Sequence, residues 1–129
     1  MTGKKHNGTC NCGEVAFTIT GDLAEPSVCH CTQCRRQTGY CWSSTHIPKS
    51  ALTFQSVAGP VWYQSSPNVQ RGFCGTCGCF LFWNPEDEDK ISVSMGALSA
   101  PTDVKIGRHI FVADKGDYYD LADGLPQSS

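Results

Sequence analysis

The segment Cys29-His30-Cys31-Thr32-Gln33-Cys34 places three thiols within six residues, at C-x-C-x-x-C spacing. A cysteine thiolate binds zinc at about 2.3 Å, so ligands this close in sequence can share one ion only if the chain curls around it. Three cysteines leave one position of a tetrahedral zinc site open, and open zinc sites are the ones that do chemistry. We therefore predict a zinc site at Cys29, Cys31 and Cys34 with an exchangeable fourth ligand, and these three are the candidate catalytic residues.

Two further cysteine pairs flank this segment: Cys10 with Cys12 upstream, and Cys74 with Cys77 downstream. Their four thiols complete a closed tetrahedron, which is the arrangement of a structural zinc site. A glycine follows each pair and permits the tight backbone that points N–H groups at sulfur. The sequence therefore predicts two zinc ions per chain, of which the ion on three thiols is the more labile.

The number and grouping of the cysteines favour metal binding over disulfides. The chain has nine cysteines, an odd number, and seven of them lie in tight groups. A disulfide framework needs an oxidising compartment, whereas clustered thiols in a reduced compartment indicate metal. The polar N-terminus has no apolar core typical of an export signal. We expect a cytoplasmic protein whose clustered cysteines bind metal.

A second interpretation of the central segment is a closed, purely structural site. Cys41, Cys79, His30 and His46 are each available as the fourth ligand. Against this, Cys41 and Cys79 lie in apolar runs, where a free cysteine is often a small buried hydrophobe. His30, between two ligands, is expected to point away from the metal toward the surface. The sequence is compatible with both the open and the closed site.

Length and charge exclude several classes of function. The 129 residues are expected to form a single zinc-binding domain over 1–129. A net charge of −2 gives no basic footprint for nucleic acid. No apolar run approaches the roughly 20 residues that cross a bilayer. Neither a nucleic acid nor a membrane is therefore an expected partner.

Short alternating segments separated by turns predict an all-β fold. Residues 15–20 alternate apolar and polar side chains, the period of a half-buried strand. Turn residues recur at Gly59-Pro60 and around Pro67, and no pattern of helical period runs for ten residues. We predict short antiparallel strands, one helical turn after Cys34 that ends at Gly39, and a frayed tail from Asp123.

Three segments resemble the family of the glutathione-dependent formaldehyde-activating enzyme, which also includes centromere protein V. They are C-N-C-G-E-V-A-F from Cys10, C-H-C-T-Q-C-R-R-Q-T-G from Cys29 and S-S-P-N-V-Q-R-G-F-C-G-T-C-G from Ser65. The resemblance covers roughly residues 6–126. It implies a β-tent fold, a structural zinc on the two outer pairs and a second zinc on the central three cysteines. It also implies the joining of glutathione and formaldehyde into S-(hydroxymethyl)glutathione, which is a carbon–sulfur lyase reaction run in reverse.

We predict a zinc-dependent carbon–sulfur lyase-like enzyme that acts on a thiol adduct, with a small-molecule thiol such as glutathione as its partner. The alternative is a non-catalytic zinc-binding domain that binds thiols or protein partners. Arg35 and Arg36 are candidates to pair with carboxylates of the ligand, or else are solvated. The chain departs from the family at Tyr118, where tryptophan is frequent, and at Cys41 and Cys79, where small residues without a thiol are more usual.

Overall fold

Residues 4–129, the part of the chain that the computed structural model describes, contain ten β-strands, one α-helix and three short 3-10 helices. Strands β1 (Lys5–Thr9), β2 (Ala16–Thr20) and β5 (Leu52–Phe54) form an antiparallel sheet with β2 in the middle. The other seven strands form a larger sheet in the spatial order β10 (Arg108–Ile110), β3 (Ser27–Cys29), β4 (Trp42–Pro48), β9 (Lys90–Ser94), β8 (Phe80–Pro85), β7 (Val69–Phe73) and β6 (Val61–Ser66). Among the strand pairs of residues 4–129, β10 beside β3 is the one parallel pair. The predicted all-β fold is confirmed.

The main core lies between the two sheets, and the alternation of side chains along each strand creates it. Phe17 and Ile19 point inward from β2, while Ile47 and Phe82 point inward from the larger sheet. The rings of Phe17 and Phe82 meet edge to face with centroids 5.1 Å apart, a favourable aromatic geometry. Because successive residues of a strand face opposite sides, the neighbours of these core residues in the larger sheet are left facing away from the core.

Cys31 caps the beginning of helix α1 (Thr32–Thr38), and Gly39 ends it. The Cys31 side chain caps the first turn by accepting from the Cys34 backbone N–H, and Gly39 ends the helix in the left-handed region with φ of 81°. The Gly39 N–H donates to the carbonyl oxygen of Arg35 at 2.8 Å. This confirms the predicted helical turn. Cys34 packs with Cys29 and Trp42 in a second, smaller core on the other face of the larger sheet.

The prediction of a frayed tail from Asp123 is wrong. The backbone N–H of His109 donates to the carbonyl oxygen of Pro126, and the N–H of Ser128 donates back to the oxygen of His109, both at 2.9 Å. Strand β10 is an edge of the larger sheet, so its free backbone groups need partners, and the tail supplies them. The local sequence did not predict this pairing, because the residues near Gly124 have the composition of a turn.

None of the helices in residues 4–129 has the length and apolar character needed to cross a membrane.

The sequence did not predict strand β1, because its polar residues show no apolar alternation. It forms because it pairs along its whole length with β2.

Replacing Gly8 with alanine should destabilise the fold. Gly8 lies opposite Phe17 in the β1–β2 pair, and a Cβ atom at this position would overlap the Phe17 ring. Phe17 is buried against Phe82, so its ring has little freedom to move. We expect Gly8→Ala to lower the free energy of unfolding by about 1–3 kcal/mol, the range for overpacking a core. Urea denaturation of the zinc-loaded protein measures it. Gly59→Ala is the matched control, since a Cβ there meets nothing within 4 Å; equal losses for both variants would contradict the packing argument.

Candidate metal centres

The two outer cysteine pairs converge in space. The sulfur atoms of Cys10, Cys12, Cys74 and Cys77 all lie within 4.8 Å of one another. The Sγ atom of Cys12 is 3.7 Å from that of Cys10 and 3.7 Å from that of Cys74. A tetrahedral zinc site with bonds of about 2.3 Å has sulfur–sulfur edges of about 3.8 Å, so these spacings fit such an ion.

Backbone N–H groups in two turns orient the sulfurs of this four-thiol group. After β1, the N–H of Val15 donates to Cys10 Sγ at 3.3 Å. After β7, the N–H groups of Thr76 and Cys77 both donate to Cys74 Sγ at 3.4 Å. Hydrogen bonding, first to the backbone at Cys79 and then at Cys12 and to the neighbouring thiols, lowers the pKa of Cys77 to about 6. Such bonds favour the thiolate form, which is the form that binds metal.

The three central cysteines form a separate group on the larger sheet. Cys29 ends β3, Cys31 caps α1 and Cys34 lies in its first turn, with their sulfur atoms within 4.8 Å of one another. Cys31 is partly exposed, whereas Cys29 and Cys34 are buried. Among the described residues 4–129, no fourth cysteine, histidine or carboxylate completes this group. An ion held here would therefore keep one position open to a ligand.

The buried guanidinium of Arg71 contacts the three-thiol group directly. Its Nη1 atom donates to Cys34 Sγ at 3.4 Å and to the Oε1 atom of Gln37 at 2.8 Å. Hydrogen bonds from the Cys29 thiol and then from Arg71 lower the pKa of Cys34 to about 6, against the opposing effect of burial. The same pairing with Cys34 raises the pKa of Cys29. Arg71 thus helps to hold the Cys34 side chain as a thiolate.

A cavity of about 520 Å³ opens beside the three thiols. The apolar part of its wall comes from Trp42, Trp83, Ile110 and Phe111. Its positively charged residues are Arg71 and Arg108. The sequence had suggested Arg35 and Arg36 for contacts with a ligand, but neither lines this cavity. The difference arises because α1 carries both of those side chains away from it, while strands β7 and β10 bring distant arginines to its wall.

The structure also places the other candidate residues. Cys41 and Cys79 are half-buried and join neither group of sulfur atoms. Burial raises the pKa of both thiols, which favours the neutral form. His46 lines the cavity wall, apart from the sulfurs.

His30 was expected at the surface, and this expectation is wrong: the side chain is completely buried. Its Nε2 atom lies 2.9 Å from Nδ1 of His109, and its Nδ1 atom contacts the Tyr119 hydroxyl. His109 Nε2 in turn lies 2.8 Å from a carboxylate oxygen of Asp123. With both rings neutral, the carboxylate must accept, so His109 Nδ1 accepts from His30 and His30 Nδ1 accepts from Tyr119. Burial lowers the pKa of His30 and favours that neutral form.

This chain of hydrogen bonds fixes the loop between two of the candidate ligands, Cys29 and Cys31, to the C-terminal tail. No local signal in the sequence points to it, because His109, Tyr119 and Asp123 lie about 80 to 90 residues further along the chain.

Comparisons with known proteins agree with this architecture. A family model described as "Glutathione-dependent formaldehyde-activating enzyme" matches residues 5–114. Among solved structures, the chain is similar to a structural-genomics crystal structure of a Rhodobacter sphaeroides protein, with a TM-score of 0.63 and 22% sequence identity. The alignment covers 96% of this chain and 99% of that one, and at this identity it shows a shared fold alone. No curated protein sequence gives a significant match.

The two groups of thiols should differ in how they lose metal. We expect two zinc ions per chain when the protein is fully loaded, and a weak chelator should remove first the ion on three thiols, which has fewer protein ligands and an open face. Elemental analysis before and after graded chelation measures this. A protein that holds one ion, and that added zinc cannot bring to two, would refute the two-site prediction.

Substitutions should separate the roles of the two groups. We expect Cys12→Ser to unfold or aggregate the protein, since structural zinc binding is worth about 10 kcal/mol or more against a net stability of about 5–15 kcal/mol. Cys31→Ser should stay folded with one zinc ion. Thermal melts and zinc content report both effects, with Cys41→Ser as the control for loss of a thiol outside the groups. Equal damage from Cys12→Ser and Cys31→Ser would mean that both sites are structural.

Proposed function

The chain belongs to the family of the glutathione-dependent formaldehyde-activating enzyme, and from that premise we propose that it is a zinc-dependent carbon–sulfur lyase. Its reaction would join glutathione and formaldehyde into S-(hydroxymethyl)glutathione, and would cleave the same adduct in the reverse direction. The proposal includes a cytoplasmic location, because the seven clustered thiols must stay reduced to bind metal.

One observation carries this proposal: three thiols without a fourth protein ligand among residues 4–129 stand at the wall of a cavity of about 520 Å³. That volume lies in the range of sites that enclose a small organic ligand. A zinc ion bound to Cys29, Cys31 and Cys34 would supply an open position at which an incoming thiol is held as thiolate. Free thiols have a pKa near 8.5, so only a few per cent is ionised at neutral pH without such help.

The charge around the three sulfurs suits an anionic ligand. Three thiolates and one divalent cation carry a net charge of about −1, and the guanidinium of Arg71 against Cys34 brings the sum to about zero. A fourth thiolate can then enter without crossing a strongly negative field. The four-thiol group, by contrast, receives backbone N–H groups and no guanidinium among the hydrogen bonds of the described residues.

The bond changes balance without any oxidant. The thiol sulfur attacks the carbonyl carbon of formaldehyde, so a carbon–sulfur bond forms while the carbon–oxygen π bond breaks. The proton that leaves the thiol ends on the new hydroxyl oxygen. The chain would contribute by holding the thiol beside Cys29, Cys31 and Cys34 in the cavity, where Trp42 and Trp83 form part of the apolar wall.

Exchange measurements test this reaction directly. Formaldehyde adds to thiols without a catalyst, so the catalysed rate must exceed a fast uncatalysed rate. We expect magnetisation exchange between glutathione and S-(hydroxymethyl)glutathione to be faster with the wild-type protein than with no protein at matched zinc. Cys31→Ser should lose the acceleration, because it removes one of the three thiols.

The control is Cys41→Ser, which removes a thiol that belongs to neither group and should keep the wild-type rate. If wild type, Cys31→Ser and free zinc give the same rate while glutathione still binds, the protein is a thiol-binding domain without this activity.

A further inference from the structure

We propose that a polar floor beside the three-thiol centre binds the peptide part of the substrate thiol and that Arg108 holds one of its carboxylates. The polar floor consists of Ser27, Ser44, His46 and Ser92, with Arg108 at its edge. The inference rests on the proposed function, because it takes a thiol as the ligand. It makes the enzyme selective for carboxylate-bearing peptide thiols over small uncharged ones.

Sheet register makes the polar floor continuous. Arg108 on β10 pairs with Ser27 on β3, which pairs with Ser44 on β4. His46, two residues further along β4, pairs with Ser92 on β9. Paired residues in adjacent strands point to the same face of a sheet, so these five side chains share one surface.

The same register connects the polar floor to the metal centre. Cys29 lies two residues after Ser27 on β3, and therefore on the same face of the sheet. Two residues of strand span roughly 7 Å, a distance that the backbone of a short peptide bridges when its thiol sits at the three sulfurs. The floor thus begins within reach of a substrate anchored at the metal.

The serine hydroxyl groups of the polar floor have no hydrogen-bond partner within residues 4–129. Thr45 on the opposite face shows the usual outcome for a polar side chain in a sheet: its hydroxyl donates to the Ala24 carbonyl oxygen at 2.7 Å. Within residues 4–129, the side chains of Ser27, Ser44, Ser92 and His46 make no hydrogen bond of this kind, although all three serines are half-buried. Their donors and acceptors are therefore free for the amide groups of a ligand.

The charged residues Arg108 and Asp114, which line the cavity, match the charges of a peptide thiol such as glutathione. Arg108 forms no ion pair among the described residues, and its planar guanidinium suits a carboxylate with two parallel hydrogen bonds. Asp114 also lines the cavity, and its carboxylate can pair with an ammonium group of the ligand while repelling a second carboxylate nearby. Glutathione carries two carboxylates and one ammonium, so it can meet both signs of charge.

Binding measurements on the zinc-loaded protein test the polar floor. Calorimetric titrations with glutathione, its diethyl ester and 2-mercaptoethanol compare wild type with Arg108→Gln. We expect Arg108→Gln to weaken the binding of glutathione about tenfold, the usual effect of losing a charged hydrogen bond. The affinities for the ester and for 2-mercaptoethanol should not change. Arg108→Lys should recover part of the lost affinity for glutathione. Ser44→Ala should weaken the binding of both peptide thiols but not that of 2-mercaptoethanol.

Arg36→Gln is the matched control, because Arg36 is exposed on α1 and does not line the cavity. Wild-type glutathione affinity in Arg108→Gln would overturn the role of Arg108, and so would an equal loss for all three thiols; both results leave the proposed function standing. If no thiol binds to wild type, the proposed function fails and the inference fails with it.

Discussion

Convergence of four sulfur atoms within 4.8 Å is the constraint on which the rest of the structure depends. Two of them follow β1 at the edge of the small sheet, and two follow β7 in the large sheet, so the group joins the sheets at one end of the core. Thiols packed this closely cannot all ionise unless a cation compensates them. A metal ion bound at this point would therefore be coupled to folding, because the four sulfur atoms meet only when the sheets are in place.

The larger sheet performs two tasks, one on each face. Ile47 and Val93 point into the main core, while Trp42 and Ser92 on the same strands point to the cavity. The period of two along a strand separates the two roles cleanly, because a residue cannot serve both faces. This arrangement allows the cavity face to carry polar and reactive side chains without placing them in the core.

The C-terminal tail belongs to the site as much as to the fold. It pairs with β10 through the backbone, and Asp123 continues the hydrogen-bond chain through His109 to the buried ring of His30. His30 separates two of the three central cysteines, so the position of this loop depends on residues about 90 positions away. A loop anchored in this way holds its thiols in a fixed geometry, which an open metal site requires.

The sequence by itself determined the grouping of the seven cysteines, the all-β class and the helix that ends at Gly39. These features are local: metal-ligand spacing, strand alternation and a glycine at a helix end are all legible within a few residues. The tertiary structure decided that Arg71 and Arg108, and not Arg35 and Arg36, line the cavity. It also decided that His30 is buried and is joined through His109 to the C-terminal tail. Those facts depend on strand register and on pairing between distant segments, and the short-range pattern of the sequence carries no information about either.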